Sequence, residues 1–331
     1  MFPPNPIPGE LTALVHRERF DDLPGGVDHV HLPRWQEFRR QYHLAQRGPA
    51  PGSVFPLQVD FELNSTCNLK CSFCTHGQER VPNVELPFVD FVRVIDEGER
   101  YGLASIKLNY INEPLLRSDL PAFIRYAKDH GVLNVYFATN GVLLTVDVAH
   151  ELITSGLSKI LVSLDATTPE TFRAMRNSGH FDRIERNISR LLELRKRLGV
   201  TWPHVRVNFL LTPRNFHERE AFLNRWEGIA DSIGVQTQVA LPDVDTEMYS
   251  APREGPFRCS FPSKLLVVDH RGDILPCCTF SGRKMPLGNI ATMTLGEAWN
   301  GPRATTLRVL HGNGYGMDNP ICARCIGGGT P

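Results

Sequence analysis

Cys67-Asn-Leu-Lys-Cys71-Ser-Phe-Cys74 decides how the rest of the chain is read. Three closely spaced thiols cannot pair off among themselves, so a disulfide reading fails on count and packing. Thiolates are the usual ligands of iron–sulfur clusters, and three of them around a [4Fe–4S] cube leave one iron open to a further ligand. A structural zinc ion would want a fourth Cys or His nearby, and His76 is the local candidate.

The chain has 331 residues, 41% of them hydrophobic, enough for one large or two medium domains with a filled core. Lys+Arg and Asp+Glu stand at 36 each, so no net field draws the chain to nucleic acid or an anionic membrane. No apolar run approaches the roughly 18 residues of a membrane span. The first residues, Met1-Phe-Pro-Pro-Asn-Pro6, lack the basic and apolar regions of a signal peptide. Eight cysteines without an export signal point to metal rather than disulfides, and together these features predict an oxygen-sensitive cytoplasmic protein.

Residues 1–56 are rich in Pro, Gly, Arg and His and end in a linker, Arg47-Gly-Pro-Ala-Pro-Gly52. Within them, 33–46 reads as a helix whose Trp35, Phe38 and Tyr42 recur at helical spacing. That helix packs on the main body or serves as a substrate lid or dimer arm. From 57 to 240 short apolar runs alternate with amphipathic segments. Strands are predicted at 57–63, 105–110, 134–138, 159–164, 204–210 and 235–240. Helices are predicted at 87–101, 120–130, 146–155, 169–176, 181–198 and 218–233, with Asp119, Asp147 and Thr168 as N-caps and Pro169 at a first helical position. Six strand–helix alternations argue an α/β fold with a parallel sheet and right-handed crossovers, two short of the eight-stranded barrel. A Pro- and acid-rich connector spans 241–258. Residues 259–331 form a smaller region with a hairpin at 265–268 and 274–275 and short helices near 295–300 and 302–311.

The pattern Cys-x3-Cys-x2-Cys with Phe73 before the last Cys resembles the radical S-adenosyl-L-methionine (SAM) superfamily. In that family the amino and carboxyl groups of SAM occupy the open iron of a [4Fe–4S] cluster, here held by Cys67, Cys71 and Cys74. The resemblance implies an open partial (β/α)6 barrel over 57–240, which the six alternations match. Functional groups then belong at the C-terminal ends of the strands. Phe73 would pack near the SAM adenine. Ile111-Asn-Glu-Pro114 matches the family's Gly-Gly-Glu-Pro motif only at Glu-Pro, leaving Glu113 to bind the SAM ammonium. Thr139-Asn140-Gly141 and Ser163-Leu-Asp165 resemble family segments near SAM, with Ser163 and Asp165 toward the ribose hydroxyls. Arg176 resembles the arginine that meets the SAM carboxylate, a role suited to a guanidinium. Asn208 and Asn215 are weaker candidates for SAM contacts. The implied chemistry is reductive cleavage of SAM to a 5′-deoxyadenosyl radical that takes hydrogen from a substrate carbon, with flavodoxin or ferredoxin as electron donor.

Cys259, Cys277, Cys278, Cys322 and Cys325 form a second group. Four thiolates can close a zinc ribbon or a fully ligated cluster. The order Cys-x17-Cys…Cys-x2-Cys resembles the twitch or short SPASM extension of radical SAM proteins, implying one auxiliary [4Fe–4S] cluster on Cys259, Cys277, Cys322 and Cys325. Cys278 is then a buried apolar thiol or a hydrogen-atom donor to a substrate radical. Asp243, Asp245 and Glu247 would lie at the barrel mouth, where a base could take a hydroxyl proton; His76 and Lys107 are further polar candidates. The cysteine layout resembles aminocyclitol dehydrogenase- and epimerase-type members. It predicts oxidation of a C–OH group in a small polar substrate (sugar, aminocyclitol or amino acid). Epimerisation through Cys278, peptide modification and a non-catalytic zinc-binding protein are the alternatives.

Overall fold

The computed structural model describes residues 29–45, 53–74, 76, 82–237 and 257–327. Six parallel strands alternate with helices in chain order: Gln58–Phe61 (β1), Ser105–Lys107 (β2), Asn134–Thr139 (β3), Lys159–Ser163 (β4), His204–Leu211 (β5) and Ser232–Thr237 (β6). The helices begin with Leu32–Leu44 (α1), followed by Phe88–Arg100 (α2), Leu120–Asp129 (α3) and Val146–Thr154 (α4). Pro169–Arg176 (α5), Phe181–Arg197 (α6) and Arg219–Trp226 (α7) complete the barrel set. The architecture is the predicted α/β partial (β/α)6 barrel.

Alternation along each strand sorts the two faces. Val59 and Phe61, Val135 and Phe137, Ile160 and Val162, and Val205, Val207 and Phe209 join the core under the helices. The helices meet them with stripes such as Phe91, Val94, Ile95 and Gly98 on α2. The opposite, inner face therefore carries Gln58 and Asp60 of β1, Glu62 just after it, Lys107, Tyr136, Lys159, and Arg206 and Asn208 of β5. Leu265 and Val267, in register with Gln58 and Asp60, add an apolar patch to this otherwise polar wall.

Helix α1 packs Trp35 and Phe38 against Leu57, Ala104 and Leu133, which precede β1, β2 and β3. Arg34 donates to Gly131 O (2.8 Å) and Leu103 O (3.0 Å). The helix thus closes the end of the barrel away from the cysteine loop, which makes it a plug and not a lid over the mouth.

The C-terminal region does not stand apart as a separate layer. Leu265–Val268 (β7) pairs in parallel with β1, and Asp273–Leu275 (β8) and Gly288–Asn289 (β9) continue antiparallel, giving one nine-stranded sheet. Leu295–Asn300 (α8), Pro302–Gly312 (α9) and Pro320–Gly327 (α10) follow. Glu97 of α2 accepts from Leu295 N and Gly296 N at 2.9 Å, mooring α8 to the barrel.

Several local expectations are corrected, among them the strand predicted at 105–110, which ends at Lys107. The helix predicted at 218–233 ends at Trp226, because Gly228 turns the chain at φ +74 and Ser232 already starts β6. The strand predicted at 235–240 therefore begins three residues earlier, and 238–240 lie outside the described residues. Thr145, not Asp147, caps α4, its side chain accepting from Val148 N at 3.3 Å. Asp119 makes no cap hydrogen bond; its carboxylate is taken by Arg117 at 2.8 and 2.5 Å, which holds its pKa below the ordinary range. Of the predicted connector 241–258, only Phe257 and Arg258 are described.

Candidate functional site

The loop after β1 brings Cys67, Cys71 and Cys74 together at the C-terminal end of the barrel. It is moored by Ser72, whose N and Oγ both donate to Met175 O (3.2 and 3.1 Å) near the end of α5. Burial, together with Glu113, Cys71 and Cys74 nearby, pushes the Cys67 thiol up to about 12. Burial also raises Cys71, which Arg176 opposes through Nη1, 3.8 Å from the sulfur. Phe73 is half-buried, its ring 5.3 Å from the Arg176 guanidinium.

Glu113 is buried opposite this loop. Its Oε1 accepts from Thr139 Oγ1 (2.7 Å) and Leu115 N (3.1 Å), and its Oε2 accepts from Asn140 N (2.8 Å). Burial raises its pKa, against those hydrogen bonds and Arg176. Asn140 donates to Asn68 Oδ1 at 2.7 Å and lies 3.9 Å from Cys67 Sγ. Ser163 closes β4, half-buried. Asp165, in the left-handed region at φ 64, pairs with Arg176 and accepts from Leu210 N at 2.7 Å. Although burial opposes it, Asp165 and the Cys71 thiol hold Arg176 more firmly protonated than usual. So the structure spends the Asp165 carboxylate on orienting Arg176. Asn215 donates to Asp165 O and Leu210 O and accepts from Thr212 N, a fully structural set.

On the inner wall, Asn208 Oδ1 is buried without a hydrogen-bond partner among the described residues. A Cβ at Gly234 would stand 2.5 Å from that atom and 2.2 Å from Arg206 Nη2, so only glycine leaves both side chains their place. Gln58 Nε2 donates to Asp60 Oδ1 (2.6 Å) and to the Tyr136 hydroxyl (2.9 Å). Burial raises the Asp60 pKa, opposed by Lys107 and Gln58. Asp60 and Gln58 belong to no motif; charged and amide residues at every second position of a buried strand were the signal.

The second thiol group draws on three segments of chain. Burial, Cys277 and Cys325 push Cys259 up to about 11, and burial with Cys277, Cys259 and Cys325 pushes Cys322 up to about 12. Cys322 and Cys325 share one face of α10, where Asn319 Oδ1 accepts from Cys322 N at 3.1 Å. Cys278 diverges from its neighbour. It packs with Tyr110, Leu265, Val267 and Leu275, and burial and Asp60 raise its pKa, opposed by Lys107. Asp243, Asp245 and Glu247 lie outside the described residues. His76 is half-buried.

Among the described residues, Glu62, Asp269 and His270 alone converge within 4.8 Å as ligands of a single ion would. Arg283 already occupies Glu62 there (2.7 and 2.6 Å), and His270 Nδ1 lies 2.7 Å from it, so this buried triad is an ion-pair junction. Neither cysteine group converges that tightly. Sets of three and of four thiols fit an open and a fully ligated iron–sulfur cluster, and four thiols also fit a structural zinc ion. No helix of the described residues is long and apolar enough to cross a membrane.

Comparison with known proteins agrees with this geometry. The radical SAM superfamily model matches residues 61–225, and an iron–sulfur cluster-binding domain model, SPASM, matches 259–326. A probable GTP 3′,8-cyclase from Saccharolobus solfataricus is 32% identical over 173 residues, 52% of this chain and 52% of that protein. One from Methanococcus maripaludis is 32% identical over 153 residues, 45% and 49% of the two chains. The chain spans about half the length of the curated relatives it matches. Among solved structures, BtrN in complex with AdoMet and 2-DOIA aligns with TM-score 0.54 at 21% identity, over 81% of this chain and 92% of that one. Streptococcus suis SuiB bound to precursor peptide SuiA aligns with TM-score 0.63 at 16% identity, over 85% and 72%. At these identities the likeness is one of fold.

Proposed function

The chain belongs to the radical SAM superfamily and carries a SPASM-type iron–sulfur domain, and from that premise we propose that it oxidises a C–OH group of a small polar substrate to a carbonyl. Membership brings a SAM-binding [4Fe–4S] cluster, SAM and an auxiliary iron–sulfur cluster. When bound, the reduced cluster and SAM supply a 5′-deoxyadenosyl radical.

The residues divide the remaining work. Cys67, Cys71 and Cys74 hold the first cluster, with Arg176 favouring the Cys71 thiolate. A carboxylate offers about four acceptor directions. Glu113 uses three, and the fourth, on Oε2, is left for the SAM ammonium. Arg176, oriented by Asp165, faces the SAM carboxylate, and Phe73 flanks the adenine. Asn140, Ser163 and Asn208 complete the surround. Cys259, Cys277, Cys322 and Cys325 hold the auxiliary cluster, and Asp243 or Asp245 takes the hydroxyl proton. Flavodoxin or ferredoxin is the proposed electron donor.

The observation that carries the reading is the divergence of two consecutive cysteines. Cys277 belongs to the four-thiol group, while Cys278 packs with Tyr110, Leu265, Val267 and Leu275, within reach of the Asp60 and Lys107 charges of the inner wall. An electron acceptor on Cys277 therefore borders the wall that carries Gln58, Asp60 and Lys107, side chains suited to a hydroxylated or amino substrate. The same position of Cys278 favours a second reading, epimerisation with Cys278 as hydrogen-atom donor. A nucleotide-cyclising activity carried over from the curated relatives would rest on a match to about half of the chain.

Anaerobic reconstitution followed by iron, sulfide and zinc analysis, with a dithionite-driven 5′-deoxyadenosine assay, tests the reading. About eight iron and eight sulfide per chain with 5′-deoxyadenosine formation are expected. Zinc without SAM cleavage overturns it. Cys71→Ala should abolish SAM cleavage, whereas Cys322→Ala should keep some cleavage and lose substrate turnover.

A further inference from the structure

Thr279 follows the two adjacent cysteines and opens a tight turn in which its carbonyl accepts from Gly282 N at 2.9 Å. Its hydroxyl lies 3.4 Å from Cys277 Sγ and 3.7 Å from Cys325 Sγ, so one side chain reaches thiols from two distant segments. Two further contacts fix it. The Tyr110 hydroxyl donates to Thr279 O, tying the turn to the barrel's second loop. Gly282 lets the turn close on Cys277: a Cβ there would stand 2.6 Å from Cys277 O and 3.1 Å from its sulfur.

We infer that Thr279 tunes the reduction potential of the auxiliary cluster by donating its hydroxyl proton to a ligand sulfur. The inference rests on the ligand set proposed above. A thiolate bound to iron has no proton to give, so the sulfurs accept and the hydroxyl donates. A hydroxyl has one proton, and Cys277 is the nearer acceptor. Hydrogen bonds to cluster sulfurs withdraw charge and favour the reduced, more negative state, which raises the potential. A raised potential suits a cluster that receives an electron from a substrate. Thr279 is thus a positioning residue that acts through the cluster and does not touch substrate.

The test is an anaerobic redox titration of the reconstituted full chain, followed by electron paramagnetic resonance. The signal lost in Cys322→Ala identifies the auxiliary cluster. Thr279→Val, which keeps the bulk and removes the donor, is expected to lower the equilibrium constant for its reduction about tenfold, about 59 mV for one electron. Thr279→Ser, which keeps the donor, is expected to retain the wild-type midpoint. Equal midpoints for wild type and Thr279→Val overturn the role of Thr279 while leaving the ligand set intact. A serine variant shifted as far as the valine variant overturns it too, because bulk and not the donor then matters. A Cys322→Ala protein with unchanged iron content and spectrum overturns the ligand set itself, and the role of Thr279 with it.

Discussion

Arg283 Nη2 sits against both carboxylate oxygens of Glu62, at 2.7 and 2.6 Å, and joins the segment after Cys277 to the end of β1. Glu62 is almost fully buried and also meets His270 at 2.7 Å. Removing one partner of a buried pair leaves the other charge uncompensated, at a cost of about 3 kcal/mol at the low end of the usual range, since Arg283 is 25% exposed. Glu62→Ala should therefore lower stability by about that amount in urea unfolding, and Glu62→Gln by less. An unchanged midpoint in Glu62→Ala would show that the junction contributes nothing to holding the two regions together.

Glu113 should make SAM binding sensitive to acid. Burial raises its pKa, so on acidification it takes up a proton above the ordinary carboxylate range and then no longer offers an anion to an ammonium. SAM affinity should fall as pH drops through that raised value and recover above it. Glu113→Gln should weaken binding about 10- to 100-fold at neutral pH, the worth of a hydrogen bond to a charged group, and flatten the pH profile. Calorimetric titration of SAM into the reconstituted protein across pH reads both. A steep acid dependence that persists in Glu113→Gln would assign it to another group.

A side chain at Gly234 should displace Arg206 and Asn208. A Cβ would overlap Arg206 Nη2 at 2.2 Å and Asn208 Oδ1 at 2.5 Å. Gly234→Ala should cost about 1–3 kcal/mol through displaced neighbours. It should also weaken SAM binding if Asn208 belongs to that surround. Unfolding and SAM titration of the same variant separate the two effects.

The strands and helices of the barrel were legible because alternation and helical stripes are local signals. The misplaced boundary between α7 and β6 arose because Ile229 to Ile233 continues an apolar pattern past a turn set by Gly228, and the strand predicted at 105–110 already ends at Lys107. The cysteine loop was legible for the same local reason. The pairing of Asp165 with Arg176 was not, since it depends on a left-handed backbone at Asp165 that its residue type only permits. Glu62 and Arg283 lie 221 residues apart and meet because β7 pairs with β1, a register that no spacing in the sequence states.

Asp60 should make the protein less stable as pH rises. Burial raises its pKa in the folded protein above the ordinary aspartate value, against Lys107 and Gln58. The unfolded chain thus releases a proton that the folded chain keeps. The stabilising difference is full below the ordinary aspartate pKa and declines between that value and the raised one. Asp60→Asn removes the decline because an amide does not titrate, and its oxygen can still accept from Gln58. The stability gained by the variant over wild type should grow with pH across that window in urea unfolding. A constant difference would mean that Asp60 titrates alike in both states.

Cys278 separates the two reaction outcomes. It packs with Tyr110, Leu265, Val267 and Leu275, within reach of the Asp60 charge, where a sulfur could return a hydrogen atom to a substrate radical. An epimerase needs that return, and the thiol must be restored after each turnover. A dehydrogenase ends with an electron leaving the substrate and has no use for the S–H bond. Cys278→Ala should therefore abolish epimerised product while leaving carbonyl formation within about twofold, since replacing a thiol by a methyl costs only modest packing. Turnover in deuterium oxide gives the complementary readout, because the exchangeable thiol would place deuterium on the substrate carbon of an epimerase. Carbonyl product without deuterium in the wild type, unchanged in Cys278→Ala, would leave dehydrogenation as the reaction. Deuterated, inverted product lost in the variant would replace it with epimerisation.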